Sequence, residues 1–157
     1  MEGTITCVIG RIGCGKSTWA DARPGIRLSV DAWMQGLFPD GAGERHDVFT
    51  ERVKDLLYAE ARRLSLLGVP VVLDWGFWTR ASRAAAAAEL VGLPLEWVWL
   101  DPSESVRLER VAGRNRAVAS GEAPAEAYFV DEGLAEKAES LFEPPVSGEL
   151  PGLRILR

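Results

Sequence analysis

Residues Ile5–Ile9 read ITCVI, a short apolar and β-branched run that stops at a glycine. The chain then passes through Gly10-Arg11-Ile12-Gly13-Cys14-Gly15-Lys16-Ser17. A buried strand delivering the chain into this octapeptide, with helix-forming residues behind it, restricts the fold more than any other feature. The octapeptide meets G-x-x-x-x-G-K-[ST] at every fixed position. Small residues let successive backbone N–H groups turn inward and form a nest for an anion. A helix opening at Lys16 aims its positive end at the same point. The pattern assigns Gly10, Gly13, Cys14, Gly15, Lys16, Ser17 and Thr18 to phosphate binding. Lys16 reaches the β/γ oxygens and the Ser17 hydroxyl is placed to ligate Mg²⁺. The dinucleotide pattern G-x-G-x-x-G is absent. Cys14 reads as a small residue tolerated in the loop.

Alternation of strands and helices extends from this start. Helix is expected over 16–22 and strand over 26–30. The apolar residues Val48, Val53, Leu56, Leu57, Ala61, Leu64 and Leu67 recur at helical spacing, giving a helix over 47–67 with Asp47 or Thr50 as cap and Gly68 as stop. Strand 70–73 ends at Asp74, helix 79–91 is alanine-rich with Thr79 as N-cap, and strand 95–100 ends at Asp101. Helices over 103–120 and 131–142 and an edge strand over 153–156 complete the order. Strands alternating with helices imply a three-layer α/β fold with a parallel sheet covered on both faces.

Composition narrows the partners. The chain has 157 residues, 47% hydrophobic and 26% charged, with a net charge of -5. These are ordinary globular values, and the expectation is one domain over 1–157. No apolar stretch approaches the ~20 residues of a membrane span. The N-terminus has no basic region ahead of its first strand, so no secretory leader is expected. Two cysteines, Cys7 and Cys14, build no disulfide framework, which points to a reduced, cytoplasmic protein. The acidic balance argues against a large nucleic-acid footprint. The expected species is a monomer or homodimer.

Ligands of open α/β sheets bind at the carboxyl ends of the strands, where Asp31, Asp74 and Asp101 are expected. A carboxylate there can hold Mg²⁺ through water or accept a proton from an attacking hydroxyl. The competing role is a turn or N-cap aspartate, which is the reading for Asp101 ahead of Pro102-Ser103. Asp74 is assigned to the metal and Asp31 to the catalytic base, with exchange of the two roles left open. Arg107, Arg110 and Arg114 share one helix face, with Arg116 nearby. Such a face is either solvated and paired with Glu104 and Glu109, or part of a lid over 107–131 whose arginines stabilise charge on a transferring phosphoryl group. The second reading makes Arg110 and Arg114 both nucleotide-binding and catalytic, beside Lys16. Trp33, Trp75, Phe77 and Trp78 follow strand ends, so Trp33, Trp75 and Trp78 with Asp31 either line an acceptor pocket or pack in the core. Trp97 and Trp99 alternate within one strand and read as core. His46 reads as a surface residue in a polar loop.

The chain resembles the small P-loop kinase-like ATPases related to zeta toxins, chloramphenicol phosphotransferase and the kinase domain of polynucleotide kinase. The resemblance rests on GRIGCGKST (10–18), LSVDAWMQGLF (28–38), VVLDWGFWTRASR (71–83), RLERVAGRNR (107–116) and FEPP (142–145). It implies a P-loop fold with a five-stranded, mainly parallel sheet and a small helical lid. It also implies ATP with Mg²⁺ and phosphoryl transfer to a hydroxyl, with Asp31 as base. Arg110, Arg114 and Arg116 would act from the lid, and FEPP would lie near adenine. Met34 stands where several such kinases carry arginine, which points away from a polynucleotide or phosphorylated acceptor. The reading is a kinase of a small-molecule hydroxyl. Its alternatives are a nucleoside, nucleotide or nucleic-acid 5′-hydroxyl kinase and a non-catalytic nucleotide-sensing protein.

Overall fold

The computed structural model describes residues 1–157. The element order is β1 (Ile5–Ile9), α1 (Lys16–Asp21), β2 (Ile26–Leu28), α2 (Val30–Leu37), a 3-10 turn at Gly43–Arg45, α3 (His46–Leu66), β3 (Val71–Gly76), α4 (Arg80–Glu89), β4 (Leu95–Leu100), α5 (Glu104–Ser120), α6 (Glu132–Leu141) and β5 (Arg154–Leu156). The five strands lie in the order β2-β3-β1-β4-β5, and every pairing is parallel.

The two-residue period of the strands divides the core. Ile5, Cys7 and Ile9 of β1, Val71 and Leu73 of β3 and Trp97 of β4 face one layer, with Val53, Leu57, Ala61 and Leu64 of α3 and Ala86 of α4. Val8, Val72, Val98 and Leu100 face the other, against Ala20 of α1 and Cys14. A smaller cluster joins Ile12 of the glycine-rich loop to Val130 and to Ala138 of α6. No residue of α5 is buried, so that helix stands over the loop rather than inside the core.

Among the differences from the sequence expectation, three change the place of a named residue. The strand expected over 26–30 ends at Leu28, because the Ser29 hydroxyl accepts from the Ala32 amide at 3.2 Å and caps a new helix. That helix, α2, buries Val30 and Met34 on one face, and its i, i+4 pair is too short a pattern to stand out from a strand ending. Asp31 therefore sits in the first turn of a helix and not at a strand end. The strand expected over 70–73 runs on to Gly76, so Asp74 and Trp75 lie within β3. The helix expected from residue 47 begins at His46, directly out of the 3-10 turn, and neither Asp47 nor Thr50 caps it. The Thr79 cap does form, as a reciprocal pair with Ser82.

A buried arginine fastens the C-terminal segment to this frame. Arg83 of α4 is 1% exposed; its Nε donates to Glu149 at 2.6 Å and its Nη1 to the carbonyls of Phe77 and Glu143 at 3.0 and 2.9 Å. Removing one partner of a buried pair strands the other without compensation. Arg83→Ala should cost about 3–5 kcal/mol of stability in urea unfolding; a loss below ~1 kcal/mol would show that the arginine is not what fastens the segment.

Candidate active site

The glycine-rich loop leaves β1 with its carbonyls occupied. The Gly10 carbonyl accepts from the Trp78 indole at 3.0 Å and from Lys16 Nζ at 3.4 Å. The Cys14 carbonyl accepts from Arg110 Nη1 at 2.9 Å. Gly13 and Gly15 take φ values of 80° and 92°, in the left-handed region that suits glycine. A Cβ at Gly13 would come within 2.7 Å of the Arg107 carbonyl. The cradle is thus shaped by backbone, with an α-helix starting at Lys16, as an anion nest requires. Lys16 is folded back over the loop. Burial opposes its charge, but the Coulombic field of Cys14, Asp74, Tyr128 and Asp31 outweighs that and raises its pKa.

The two carboxylates have separate surroundings. Asp74 is 3% exposed and its Oδ2 accepts from the Ser17 hydroxyl at 3.0 Å and from Arg27 Nη1 at 3.3 Å. The β1–β3 register steps from Cys7↔Leu73 to Ile9↔Gly76, so β3 holds an extra residue at 74–75; such bulges re-aim side chains beside sites. Asp31 instead opens into a cavity of about 240 Å³ lined also by Ser17, Ser29, Arg114, Glu126 and Tyr128. Asp31 is exposed on the surface of α2, yet the protein packed around its carboxyl desolvates it enough to raise its pKa, with Lys16 opposing, Asp74 reinforcing, and Arg114 and His46 opposing. Tyr128 is raised as well, by desolvation and then by Asp31.

The arginines of α5 separate. Arg114 borders the Asp31 cavity, with its guanidinium 5.8 Å from the Tyr128 ring centre. Arg110 borders a second, open cavity of about 740 Å³ with Asp101, Pro102, Ser103, Val106 and Arg157. Arg107 pairs with Glu139 at 3.6 Å, and Arg116 is exposed. The loop's Arg11 lies 4.1 Å over the Phe142 ring, which seats the FEPP segment beside the glycine-rich loop.

The expected aromatic pocket does not assemble. Trp33 is two residues from Asp31 on α2, on the opposite side of the helix, and is 43% exposed. Trp75 lies within β3 and packs on Tyr58 and Phe77 at ring separations of 5.3 and 5.2 Å, on the main core side. Trp78 supports the loop from behind through Gly10. None of the three borders the Asp31 cavity. Arg27, Glu126 and Tyr128 form part of the site without having been singled out in the sequence. Arg27 had a signal: it alternates with Ile26 and Leu28 and pairs in register with Val72, so a strand arginine had to face the α1 layer.

Asp74 with the Ser17 hydroxyl offers the hard oxygen donors that suit Mg²⁺, which takes few protein ligands and fills its shell with phosphate and water. No group of three or more His, Cys, Asp or Glu side chains forms an all-protein metal cage.

Asp31 also gives a pH test. Its pKa lies above the ordinary 3.8, so the folded chain holds that proton more tightly than the unfolded chain. The stabilisation from the protonated acid is complete below pH 3.8 and is lost as pH rises through the raised value. Asp31→Asn should therefore melt higher than wild type at pH 7, with the gap closing below pH 3.8. Lower melting at pH 7 would mean that the carboxylate stabilises the fold.

Known proteins carry the same fold. Kti12 from Chaetomium thermophilum, solved with ADP-AlF3, superposes with a TM-score of 0.70 at 16% identity over 97% of this chain and 88% of that one. A gluconokinase from Sinorhizobium meliloti 1021 gives 0.58 at 21% identity, covering 98% and 81%. A structure of the Pnkp1/Rnl/Hen1 RNA repair complex gives 0.65 at 17% identity over 89% of this chain. The chain spans only 44% and 39% of the chains it matches in two structures of that complex. No curated protein matches the chain. The model of the AAA domain family matches residues 5–140. With its glycine-rich nest, parallel sheet and overlying helix, the chain belongs to this AAA domain family, as a small P-loop kinase-like ATPase.

Proposed function

We propose that the chain is an ATP- and Mg²⁺-dependent kinase that transfers the γ-phosphoryl group to a hydroxyl of a small molecule. The observation that carries this reading is Asp31, a carboxylate opening into a cavity that it shares with Ser17 and Arg114, while Asp74 is tied to Ser17 and Arg27. A sensor of nucleotide alone has no need of a second carboxylate facing a cavity beside the phosphate loop.

The roles follow from position. The nest from Gly10 to Thr18 and Lys16 hold the phosphates. Ser17 and Asp74 are the residues that would hold Mg²⁺, which neutralises phosphate charge when bound. Asp31 orients the acceptor hydroxyl and takes its proton as the oxygen attacks phosphorus. The bond from γ-phosphorus to the bridging oxygen breaks, ADP leaves and a phosphoester remains. Arg114 faces the reacting side and is the arginine placed to stabilise charge there, whereas Arg110 fixes the loop through Cys14. The arginine lid is in this way divided between a chemical and a positioning residue. The cavity's size fits a small acceptor better than a stacked base, since Tyr128 is its one aromatic residue, and Asp31, Arg114 and Glu126 offer partners for hydroxyl groups. The neighbours include proteins whose names specify a gluconokinase and a sugar kinase, which supports the same class of acceptor.

ADP release measured against a panel of polyols, sugars, nucleosides and a 5′-hydroxyl oligonucleotide tests the reading. A small hydroxyl compound should stimulate release; nucleotide binding with no stimulation by any compound would favour the sensor. Lys16→Ala removes a charge-assisted contact of order 1.5–3 kcal/mol and should lower ATP affinity or turnover at least tenfold. With an acceptor in hand, Asp31→Asn should bind Mg-ATP nearly normally and lose roughly 10²–10⁴-fold in transfer. Asp74→Asn should lose Mg²⁺ dependence along with rate. Normal transfer by Asp31→Asn, with Asp74→Asn inactive but still binding nucleotide, would exchange the two assignments.

A further inference from the structure

Arg27 is surrounded by three carboxylates from three parts of the chain. Its Nε lies 3.1 Å from Asp21 at the end of α1, its Nη1 3.3 Å from Asp74 in β3, and its Nη2 2.9 Å from Glu126 in the loop between α5 and α6. The side chain is 17% exposed, against 3% for Asp74 and 33% for Glu126. The rigid fork of a guanidinium suits such sharing, and a flexible ammonium would not reproduce it. Glu126 also lines the cavity that holds Asp31 and Arg114. The loop carrying it is stapled to α5 by Asn115, whose amide exchanges two hydrogen bonds of 2.8 Å with Val130. Arg27 is therefore the polar link between the acid beside Ser17 and the segment that covers the cavity.

We infer that Arg27 is a positioning residue that couples Mg²⁺ arrival at Asp74 to closure of the 121–131 segment, by exchanging its charge between Asp74 and Glu126. The inference rests on the proposal that Ser17 and Asp74 hold Mg²⁺. One guanidinium divides its charge between Asp74 and Glu126, through separate nitrogens. A cation drawn to Asp74 satisfies that carboxylate and repels Arg27, so the guanidinium engages Glu126 more fully and holds the segment down. Coupling of this kind is reciprocal. Whatever weakens the Arg27–Glu126 pair leaves Arg27 competing with Mg²⁺ and must weaken Mg²⁺ binding. Deleting the guanidinium has two effects of opposite sense: the segment loosens, while Mg²⁺ gains a site with one repelling cation fewer. General loss of structure would weaken both.

The test uses the full chain with ADP as nucleotide, titrated with Mg²⁺, and hydrogen exchange over 122–130. In this segment the Ala127 amide donates to the Pro124 carbonyl and the Val130 amide to Asn115. In wild type, Mg²⁺ added to the ADP complex should slow exchange there. Glu126→Gln, a change at a partly exposed position, should raise the Mg²⁺ concentration for half-saturation about fivefold, the lower end of ordinary coupling, and abolish the added protection. Arg27→Gln should speed exchange without raising that concentration, and Glu126→Gln on top of it should add nothing. Arg27→Lys should behave as Arg27→Gln in exchange. Unchanged Mg²⁺ dependence in Glu126→Gln, or the same Glu126→Gln effect with and without Arg27, overturns the coupling and leaves the metal assignment standing. ADP binding by wild type that ignores Mg²⁺ overturns both.

Discussion

An anion nest points its N–H groups inward, and its carbonyls must then be satisfied elsewhere. In this chain the loop's own lysine and two side chains from distant elements do that work. The Trp78 indole and Lys16 take the Gly10 carbonyl, and Arg110 takes that of Cys14. Gly10 itself donates to the Gly76 carbonyl at 3.1 Å, which ties the loop to the end of β3. Ile12 is buried against Val130 and Ala138. The loop is thereby joined to β3, α5 and α6 at once, and the placement of every other candidate group is measured from it.

Strand parity then distributes the chemistry. Asp74 and Trp75 are neighbours in β3 and point to opposite layers, so one meets Ser17 and the other meets Tyr58 and Phe77. The extra residue of β3 at this point and the positive φ of 44° at Phe77 turn the strand sharply into the segment that carries Trp78. The helical period does the same on α2: Val30 and Met34 go to the core, Asp31 to the cavity and Trp33 to solvent. On α5, Arg110 and Arg114 are one turn apart yet border different cavities, and only Arg110 is held to the glycine-rich loop, through the Cys14 carbonyl.

Much of this could be read from the chain. The octapeptide and its preceding strand placed a glycine-rich loop between β1 and α1, and alternating strands and helices pointed to a parallel sheet. What failed were features decided by one hydrogen bond or by parity. The Ser29 hydroxyl converts an apparent strand end into the start of α2, which moves Asp31 from a strand tip to a helix. Three further residues of β3, Asp74 to Gly76, reassign Trp75 from pocket to core. Glu126 and Tyr128 lie in a stretch without periodicity, and their place depends on contacts with Arg27 and Arg114 across the fold. No local pattern encodes such contacts.

The central claim is that phosphate leaves the nucleotide for a small alcohol. Its most direct measurement is mass spectrometry of a small-molecule extract incubated with the protein, Mg²⁺ and ATP carrying ¹⁸O in the γ-phosphoryl group. The expected result is heavy label in a phosphoester of a small hydroxyl compound, absent when Lys16→Ala replaces wild type. Label found only in inorganic phosphate, or no turnover in a chain that still binds the nucleotide, would contradict it.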